Sequence, residues 1–429
     1  MWGVPARHGD VPSAYPKAFT EPDYEIHLRI PNGMTVTQDT LDRVGVKEPD
    51  ELVLLLGWSL YGLKQAGILW HQLLRDTLLK IDFVQCIQDP CLFYKADEDG
   101  VAIVGVYVDD LLITGTTVER IDQFFTDIKV LDLKDLGIVE RFLGMRIEWT
   151  NEGGYCIDQE QKIEGVIEKH CLAEANLVRV PIPEMQVIEG DNERLKEKDV
   201  GLHRVPTIKD FQSLVGSLLW VSRCTRPEIT FAVHRVTRRS QAPTMQDYQL
   251  AKRIARYLKG TKGLKLHLRE ESEPQSPMRI VTFSDADFAA DIEDGKSVSA
   301  GVQVVNGITV GWHCMKQAAV AQSTVEAEFV SAAVGGRESQ GLKELYKELG
   351  QRVKSPVVLK IDNQAAVNQI ENEASSASTK HVDGTKHVDV KLQFLRDYAK
   401  KKTVKPTHES TKKMVDDLLM KVLPAPRIQ

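Results

Sequence analysis

The amino-acid sequence predicts a multidomain protein of mixed α/β and α+β architecture, on three observations. The chain has 429 residues, which accommodates two or three domains at roughly 100 to 200 residues each. Hydrophobic residues make up 42% of the chain and charged residues 27%, the balance of folded globular domains. Strand-like runs rich in Val, Ile, Leu and Tyr alternate with amphipathic segments such as 121–130, which predicts mixed sheets covered by helices.

Three polar segments divide the chain. Residues 184–206 are charged and poor in large apolar side chains, so we predict an unpacked linker there. Residues 270–277 separate a Lys- and Arg-rich helical stretch from an apolar strand, and they mark the sharpest domain boundary. Residues 371–386 are small and polar and carry a repeated TKHVD motif, which predicts a mobile loop.

Beyond residue 277 the pattern predicts three successive strands at 278–283, 298–305 and 308–312. Asn306-Gly307, between the last two, is a strong signal for a hairpin turn. A helix and a further strand at 357–361 follow. This order of elements predicts an α/β domain with a mixed sheet.

Charge, cysteine usage and hydropathy restrict the class of protein. The six cysteines are scattered without zinc-ligand spacing, so we expect reduced thiols. The longest apolar run, 101–108, is far shorter than the roughly 20 residues of a membrane span, and no secretion signal precedes it. We therefore expect a soluble intracellular protein, cytoplasmic or nuclear and not secreted. With a net charge of -6, a nucleic-acid binder would need its positive charge concentrated locally.

A first pair of acids interrupts an apolar sequence. Asp109-Asp110 lies between the apolar runs 101–108 and 111–113, as at the tip of a hairpin. Adjacent strand residues face opposite sides of a sheet, so both acids can serve one site only where a turn bends the backbone. The plain alternative is a solvated turn. The functional interpretation is a phosphoryl-transfer site in which clustered carboxylates hold two Mg²⁺ about 3.5 to 4 Å apart.

A second set of acids lies in the C-terminal third. Asp285 follows the strand 278–283, Glu328 lies near the start of a predicted helix, and Asp362 ends the strand 357–361. Each has an ordinary alternative: Asp285 and Asp362 as helix caps or strand-end turns, and Glu328 as a first-turn acid favoured by the helix dipole.

Positive charge is concentrated between residues 235 and 269. This stretch carries ten Lys and Arg residues against the single acid Asp247. Within it, Lys252, Arg253 and Arg256 share one helix face, and Lys259 follows one turn later. A solvated basic face is the alternative to our prediction of a phosphate-backbone contact, which would be insensitive to sequence and weakened by salt.

Several motifs resemble those of reverse transcriptases. Tyr107-Val108-Asp109-Asp110 resembles the Y-x-D-D box of these enzymes. Further segments occur in the order and approximate spacing of copia-type retrotransposon reverse transcriptases: SLYGLKQAGILW (59–70), DPCLFY (89–94), LKDLG (133–137) and RFLGMRIE (141–148). Residues 211–233 and 251–266 are similar to the segment that joins polymerase to RNase H in those polyproteins.

This resemblance assigns polymerase roles by position. Asp10, in a D-V-x-x-A-[FY] setting, would be a third metal-binding acid beside Asp109 and Asp110, and Tyr15 would exclude a ribose 2′-OH and so favour dNTPs. The remaining nucleotide- and primer-binding residues that the resemblance implies are Gly62, Lys64, Gln65, Tyr107 and Gly144. For the two glycines an ordinary turn is the alternative.

The chain also departs from the family pattern. Family members carry much of a fingers subdomain ahead of the position of Asp10, including basic residues that hold the triphosphate, whereas only nine residues precede it here. Pro12 and Gly67 differ from the usual family residues. We interpret the chain as N-terminally truncated, with a polymerase half that is inactive if the fingers are required.

The second set of acids resembles the RNase H domain of the same polyproteins. S-D-A-D, S-T-x-E-A-E-[FY] and D-N-Q-x-A occur in that order and identify Asp285, Glu328 and Asp362 as metal-binding acids. Glu328 is preferred to Glu326 because the A-E-[FY] step matches RNase H helices. By the same resemblance the fourth acid is Asp417 on the last helix, with Asp416 and Asp389 as alternatives, and His408 lies where some RNases H have a product-release histidine.

The resemblance thus predicts three regions: a reverse transcriptase palm with partial fingers (1–183), a linker with a helical thumb or connection (184–277) and an RNase H-like domain (278–429). It implies two Mg²⁺ per active site, or Mn²⁺ in their place, and as partners an RNA template, a DNA primer, dNTPs and RNA–DNA hybrids. Virus-like particles would be one cytoplasmic location. The alternative function is a non-catalytic or domesticated nucleic-acid-binding remnant.

Overall fold

The computed structural model describes residues 2–21, 23–150, 153–183, 193–197, 205–269, 277–291, 293–371, 386–415 and 419, with residues 386–392 described by their backbone alone. The chain divides into two compact units, residues 2–139 and 140–429, and each is described by itself. The domain limits at residues 183 and 277 stay predictions.

The first unit is built on an antiparallel sheet. Its strands are β1 (Arg7–Asp10), β2 (His27–Arg29), β3 (Val53–Leu55), β4 (Val84–Gln85), β5 (Leu92–Asp97), β6 (Gly100–Tyr107), β7 (Asp110–Gly115) and β8 (Lys134–Ile138). Six of them form one sheet in the order β4-β5-β6-β7-β1-β8, and β2 pairs with β3. The helices are α1 (Gln38–Val44), α2 (Ala66–Lys80) and α3 (Val118–Asp127).

Alternation along β6 and β7 builds the core of this unit. Ala102, Val104 and Val106 of β6 are buried at every second position, as the two-residue period of a strand requires. Trp70 of α2 and Phe124 of α3 pack in the same cluster. The predicted hairpin is confirmed, since Tyr107 pairs with Asp110 across a two-residue turn.

The second unit begins with a small sheet and a helical core. Strands β9 (Arg141–Phe142), β10 (Met145–Thr150), β11 (Gly154–Asp158) and β12 (Leu266–Leu268) form an antiparallel sheet in the order β12-β11-β10-β9. The helices are α4 (Glu160–Lys169), α5 (Ile208–Cys224), α6 (Thr230–Thr237) and α7 (Met245–Gly260). Capping boxes at Thr207 and Thr244 fix the starts of α5 and α7.

One prediction about this region is wrong in part. The stretch 184–206 was expected not to pack, yet Leu195 is buried in the core of the four helices. The carbonyl of Lys196 accepts a hydrogen bond from Ile208 N at 3.0 Å. In this part of the stretch, an apolar residue flanked by charged ones therefore packs against the helices. The predicted loop 371–386 lies outside the described residues except at its two ends.

A mixed sheet forms the rest of the second unit. Its strands are β13 (Ile280–Asp287), β14 (Val298–Val305), β15 (Ile308–Lys316), β16 (Val357–Ile361) and β17 (Val404–His408), in the order β15-β14-β13-β16-β17. Its helices are α8 (Thr324–Glu348), α9 (Gln364–Glu371) and α10 (Lys386–Lys400). β13, β14 and β15 are antiparallel, whereas β13, β16 and β17 run parallel.

These sheets and helices confirm the predicted α/β and α+β multidomain class and the mixed sheet of the C-terminal region. The hairpin at Asn306-Gly307 is also confirmed, with both residues at positive φ, 50° and 88°. The six cysteines all lie in described segments and are free thiols, as predicted. None of the helices described combines the length and apolar character that a bilayer crossing requires.

Candidate active sites

Three carboxylates meet at one edge of the mixed sheet. β13 and β16 are parallel neighbours in which Ser284 pairs with Ile361, so the next residues, Asp285 and Asp362, emerge side by side. Glu328, in the second turn of α8, completes the group. One carboxylate oxygen from each of the three lies within 4.8 Å of the others. Across the described segments, this is the one group of three or more acids, histidines or cysteines that is so close.

Burial makes this group electrostatically unusual. Asp285 is 2% exposed and Glu328 6% exposed. Burial, then the charge of Asp285 and a hydrogen bond with it, and then the charge of Asp362 raise the pKa of Glu328 well above its ordinary value. Glu328 Oε2 is buried and has no hydrogen-bond partner in the described part of the chain. Three oxygen donors with an unused buried oxygen fit a hard divalent cation.

The neighbours of Asp362 come from the end of the described chain. Thr411 Oγ1 donates a hydrogen bond to Asp362 Oδ2 at 3.1 Å. His408, exposed at the end of β17, places Nε2 3.1 Å from the carbonyl oxygen of Asp362. Sequence reasoning weighed His408 but missed Thr411, because a threonine beside two lysines carries no signal of its own.

The remaining acids that were considered for this site are Glu326, which is described, and the candidates for the fourth acid, whose side chains are not. Glu326 points to the start of α8, where its carboxylate accepts a hydrogen bond from Gln322 N at 2.7 Å. It therefore serves as a cap, and Glu328 is the acid that faces Asp285. Asp417 and Asp416 lie outside the described residues, and Asp389 lies in the part of α10, residues 386–392, that is described by its backbone alone.

The acids of the first unit meet through their backbones. Asp10 of β1 lies opposite Asp110 of β7, and the carbonyl of Asp109 accepts a hydrogen bond from Val11 N at 3.0 Å. His8 Nε2 lies 2.9 Å from Asp110 Oδ1. The three carboxylates are not among the groups within 4.8 Å in the described segments. The strands thus bring these acids to one sheet edge, but their oxygens are not gathered.

Two of the predicted nucleotide-pocket residues, Tyr15 and Gly62, lie in neighbouring segments of the first unit. The ring of Tyr15 lies 4.8 Å from that of Tyr61, which directly precedes Gly62. Gly62 has φ +96°, a conformation that favours glycine. Lys64 is exposed, and Gln65 immediately precedes α2. Tyr107, at the end of β6, is 54% exposed.

Gly144 lies in the second unit, in the turn between β9 and β10. It has φ +75°, and Leu143 before it has φ +53°, while Phe142 pairs with Met145 across them. Two successive left-handed residues are what a tight two-residue hairpin turn requires. The ordinary turn that was weighed as the alternative is therefore present, whatever further role the glycine has.

The predicted basic face is partly occupied by contacts within its own unit. Arg256 Nε donates to the carbonyl of Asn176 at 2.5 Å, and Lys259 Nζ donates to the carbonyls of Ala173 and Ala175. The Lys252 ammonium lies 5.5 Å from the centre of the Tyr248 ring. Burial, and then the charge of Arg256, lower the pKa of Arg253.

Acids from elsewhere in the unit neutralise other members of the basic stretch. The ion pairs are Arg238–Asp291, Arg239–Glu293, Lys262–Glu164 and Lys265–Glu148. Counting charges along a window of sequence therefore overstates the positive field, because the fold brings distant carboxylates to it.

Comparison with known proteins identifies a family model and several relatives that are similar to this chain. The model of the family described as reverse transcriptase (RNA-dependent DNA polymerase) matches residues 2–184. The Pol polyprotein from transposon TNT 1-94 of Nicotiana tabacum is 32% identical over 93% of this chain and 28% of its own length. That from transposon RE1 of Arabidopsis thaliana is 30% identical over 88% of this chain and 24% of its own length. The chain spans about a quarter of the length of these relatives.

Shorter relatives and solved structures also match. A transposon Ty5-1 protein of Saccharomyces cerevisiae is 28% identical over 68% of this chain and 90% of its own length. Among solved structures, LC11-RNase H1 in complex with an RNA/DNA hybrid is 14% identical, with a TM-score of 0.24, over 33% of this chain and 93% of that one. An RNase H domain from Mycobacterium tuberculosis has a TM-score of 0.24, 15% identity, and coverage of 33% and 91%.

Proposed function

We propose, since the chain belongs to the copia-type retrotransposon Pol family, that it is a nucleic-acid enzyme with two activities. The second unit hydrolyses the RNA strand of RNA–DNA hybrids, and the first unit adds dNTPs to a primer on an RNA template. The observation that carries the proposal is the cluster of Asp285, Glu328 and Asp362, whose carboxylate oxygens lie within 4.8 Å of one another and of which the first two are buried. Acids with purely structural roles have no need to gather their oxygens so closely.

In the nuclease site, Asp285, Glu328 and Asp362 would hold Mg²⁺ or Mn²⁺, with Asp417 proposed as the fourth acid. Such cations would supply the positive charge that makes a water nucleophilic and neutralises the phosphodiester. The residues themselves set the geometry: β13 and β16 fix two carboxylates by their parallel register, and α8 brings the third. Thr411 holds one oxygen of Asp362 in place by its hydrogen bond. Cleavage would leave a 3′-hydroxyl and a 5′-phosphate.

In the polymerase site, Asp10, Asp109 and Asp110 would hold the cations, and Tyr15 would select dNTPs. The pairing of Asp10 with Asp110, and the hydrogen bond from Val11 N to the carbonyl of Asp109, support this because they bring the three acids to one sheet edge. His8, however, occupies an oxygen of Asp110. That contact favours, as a second candidate, a first unit that no longer polymerises, with the chain acting as a nuclease or as a nucleic-acid-binding remnant.

One gel separates these functions. A recessed DNA primer on an RNA template, with a different dye on each strand, is incubated with Mg²⁺ and dNTPs. The wild-type chain is compared with Asp110→Asn, Asp362→Asn and Glu326→Gln, the last being a matched control that alters an acid close in sequence to Glu328. We expect primer extension to be lost only in Asp110→Asn, and RNA shortening only in Asp362→Asn.

Other outcomes identify the alternatives. RNA shortening without primer extension in the wild type would mean that only the nuclease activity is present. Intact strands with the hybrid still retained on a filter at low salt would contradict the enzyme proposal, and the binding remnant would take its place.

A further inference from the structure

We infer that Ser331 is a positioning residue for the nuclease acids, because its hydroxyl joins the helix that carries Glu328 to the backbone of Asp285. This inference rests on the proposed nuclease function of that site. It concerns a residue outside the motifs used above, buried beneath the acids and touching none of the reacting groups.

The hydrogen bonds of Ser331 link three elements. Ser331 lies one turn after Glu328 on α8 and is 0% exposed. Its Oγ donates to the carbonyl oxygen of Asp285 at 2.7 Å and accepts from Ser284 Oγ at 3.0 Å. The carbonyl of Ala300, on β14, is 3.3 Å away and is the weaker acceptor. One proton and one lone pair of the hydroxyl are thus used, and both bonds join Ser331 to β13, one at the backbone of Asp285 and one at the neighbouring Ser284.

A second hydroxyl pair lies two turns further along the same helix face. Thr282 Oγ1 and Ser339 Oγ are 2.7 Å apart and both side chains are fully buried. Between the two pairs lies Gly335, where an added Cβ would come within 3.3 Å of Leu359, Ser284 and Thr282. Residues four apart share a helix face, so these small residues let α8 lie directly against β13.

Because of where Ser331 lies, its hydrogen bond to Asp285 can position the acids as well as stabilise the packing of α8. Glu328 is carried by α8 and Asp285 by β13, so the distance between their carboxylates depends on how these two elements lie against each other. The Ser331 bond is a directional restraint between the same two elements, one helical turn from Glu328. Ser339 makes a similar bond eleven residues from Glu328, too far to control where that carboxylate lies.

Direct cation binding tests the inference. We would titrate Mn²⁺ calorimetrically into the full chain carrying Asp110→Asn, which weakens the other acid set, and then into the same chain with Ser331→Ala or Ser339→Ala added. Each added change removes a buried hydroxyl that bonds to β13. We expect Ser331→Ala to raise the Mn²⁺ dissociation constant about tenfold, as loss of a group that orients a metal ligand does. Ser339→Ala should leave that constant within about twofold of its parent, although both variants melt at a lower temperature.

Hybrid cleavage gives a second readout. The Mn²⁺ concentration for half-maximal cleavage should rise in Ser331→Ala by the same factor as the dissociation constant, and the rate at saturating Mn²⁺ should return towards that of the parent. If Ser331→Ala does not fold, Ser331→Cys keeps a side chain of similar size with a weaker donor, and its dissociation constant should shift in the same direction.

Two results would overturn the inference: an unchanged dissociation constant in Ser331→Ala, or an equal rise in Ser331→Ala and Ser339→Ala. The second would reduce Ser331 to a general contributor to stability. Failure of the nuclease proposal itself looks different, because Asp362→Asn would then bind Mn²⁺ as tightly as its parent and no variant would cleave the hybrid.

Discussion

His234, on α6, is a buried histidine whose surroundings disfavour its protonation. Burial, then the positive charges of Arg238 and Lys316, lower its pKa to about 4. Its Nδ1 has no hydrogen-bond partner in the described segments. The charged residues that line the cavity beside it are Arg235, Arg238, Arg239, Asp247, Asp291 and Glu293. The acids among them do not offset the loss of hydration, so the neutral imidazole is the folded form.

This histidine should make the fold sensitive to acid. Its folded pKa is below the unfolded value near 6.5, so the unfolded chain binds a proton first as the pH falls. The stability it confers is complete above about pH 6.5 and is lost progressively towards pH 4, by about 3 kcal/mol. In His234→Leu the fall in melting temperature between pH 7 and 4.5 should be smaller than in the wild type. His267→Gln, an exposed control, should follow the wild type, and parallel curves for all three would contradict the assignment.

Single residues differ in how far the sequence alone identifies them. Asp285, Glu328 and Asp362 are identifiable because each stands in a motif at the end of a strand or the start of a helix, and parallel strands bring such ends together. Ser331 and Thr411 are not, because serine and threonine are common and their function here depends on partners 46 and 49 residues away. Long-range hydrogen bonds leave no local pattern.

At the scale of elements, two glycines of α8 make a matched pair. In Gly335→Ala the new methyl group would lie 3.3 Å from three side-chain atoms, so α8 must shift from β13, at a cost of about 1 to 3 kcal/mol. Gly341 has open space, and Gly341→Ala should stabilise the helix by about 0.5 to 1 kcal/mol. Melting temperatures should therefore move in opposite directions. A rise in both variants would show that the helix and β13 are not closely packed.

The basic helix α7 offers a prediction about binding. Among the described residues, Lys252 contacts the face of the Tyr248 ring, whereas Lys259 donates to two backbone carbonyls. Lys252→Gln should weaken hybrid binding and reduce the slope of log affinity against log salt by about 1. Lys259→Gln should lower the melting temperature and leave the slope unchanged. Filter binding between 50 and 200 mM salt measures both slopes, and equal slopes for the two variants would contradict this division.

Sequence patterns predict helices, strands and hairpins best, and they fail where a contact depends on residues distant in the sequence. The β6–β7 hairpin and the β14–β15 hairpin follow from alternation and turn residues, which are local. The docking of Leu195 and the ion pairs of the basic stretch do not follow, because both depend on residues brought in by the fold. The net charge of a surface and the burial of a side chain depend on all the residues that the fold brings together, and a single stretch of sequence contains only some of them.

At the scale of the whole molecule, residues 140–429 form one unit with their own cores. The helical part and the mixed sheet are joined within it, since Trp312 Nε1 donates to the carbonyl of Ser222 at 2.9 Å and Arg238 pairs with Asp291. The sequence locates the mixed sheet correctly but not these links, which connect residues 90 and 53 positions apart.

Two fragments test this unit. Residues 140–429 should fold alone, with a single thermal transition and protection of α5 and α7 in hydrogen exchange. A fragment that starts at residue 184, a predicted domain limit, loses Ile163, Val166 and Ile167 of α4 from the helical core. Removing three buried aliphatic side chains costs several kcal/mol, about 2 to 5 for each when the core cannot close. Equal melting temperatures for the two fragments would place the boundary at 184 instead.

The parallel register of β13, β16 and β17 also fixes when the acid cluster can exist. Asp285 is synthesised early among the residues of the mixed sheet. β17, which pairs with the outer edge of β16, ends at His408, 123 residues later in the sequence. At about 5 to 20 residues per second, roughly 6 to 25 seconds separate the two. Throughout that interval residues 2–139 are already complete. A nascent chain therefore displays its first unit well before the strands that hold the acid cluster are all available to pair.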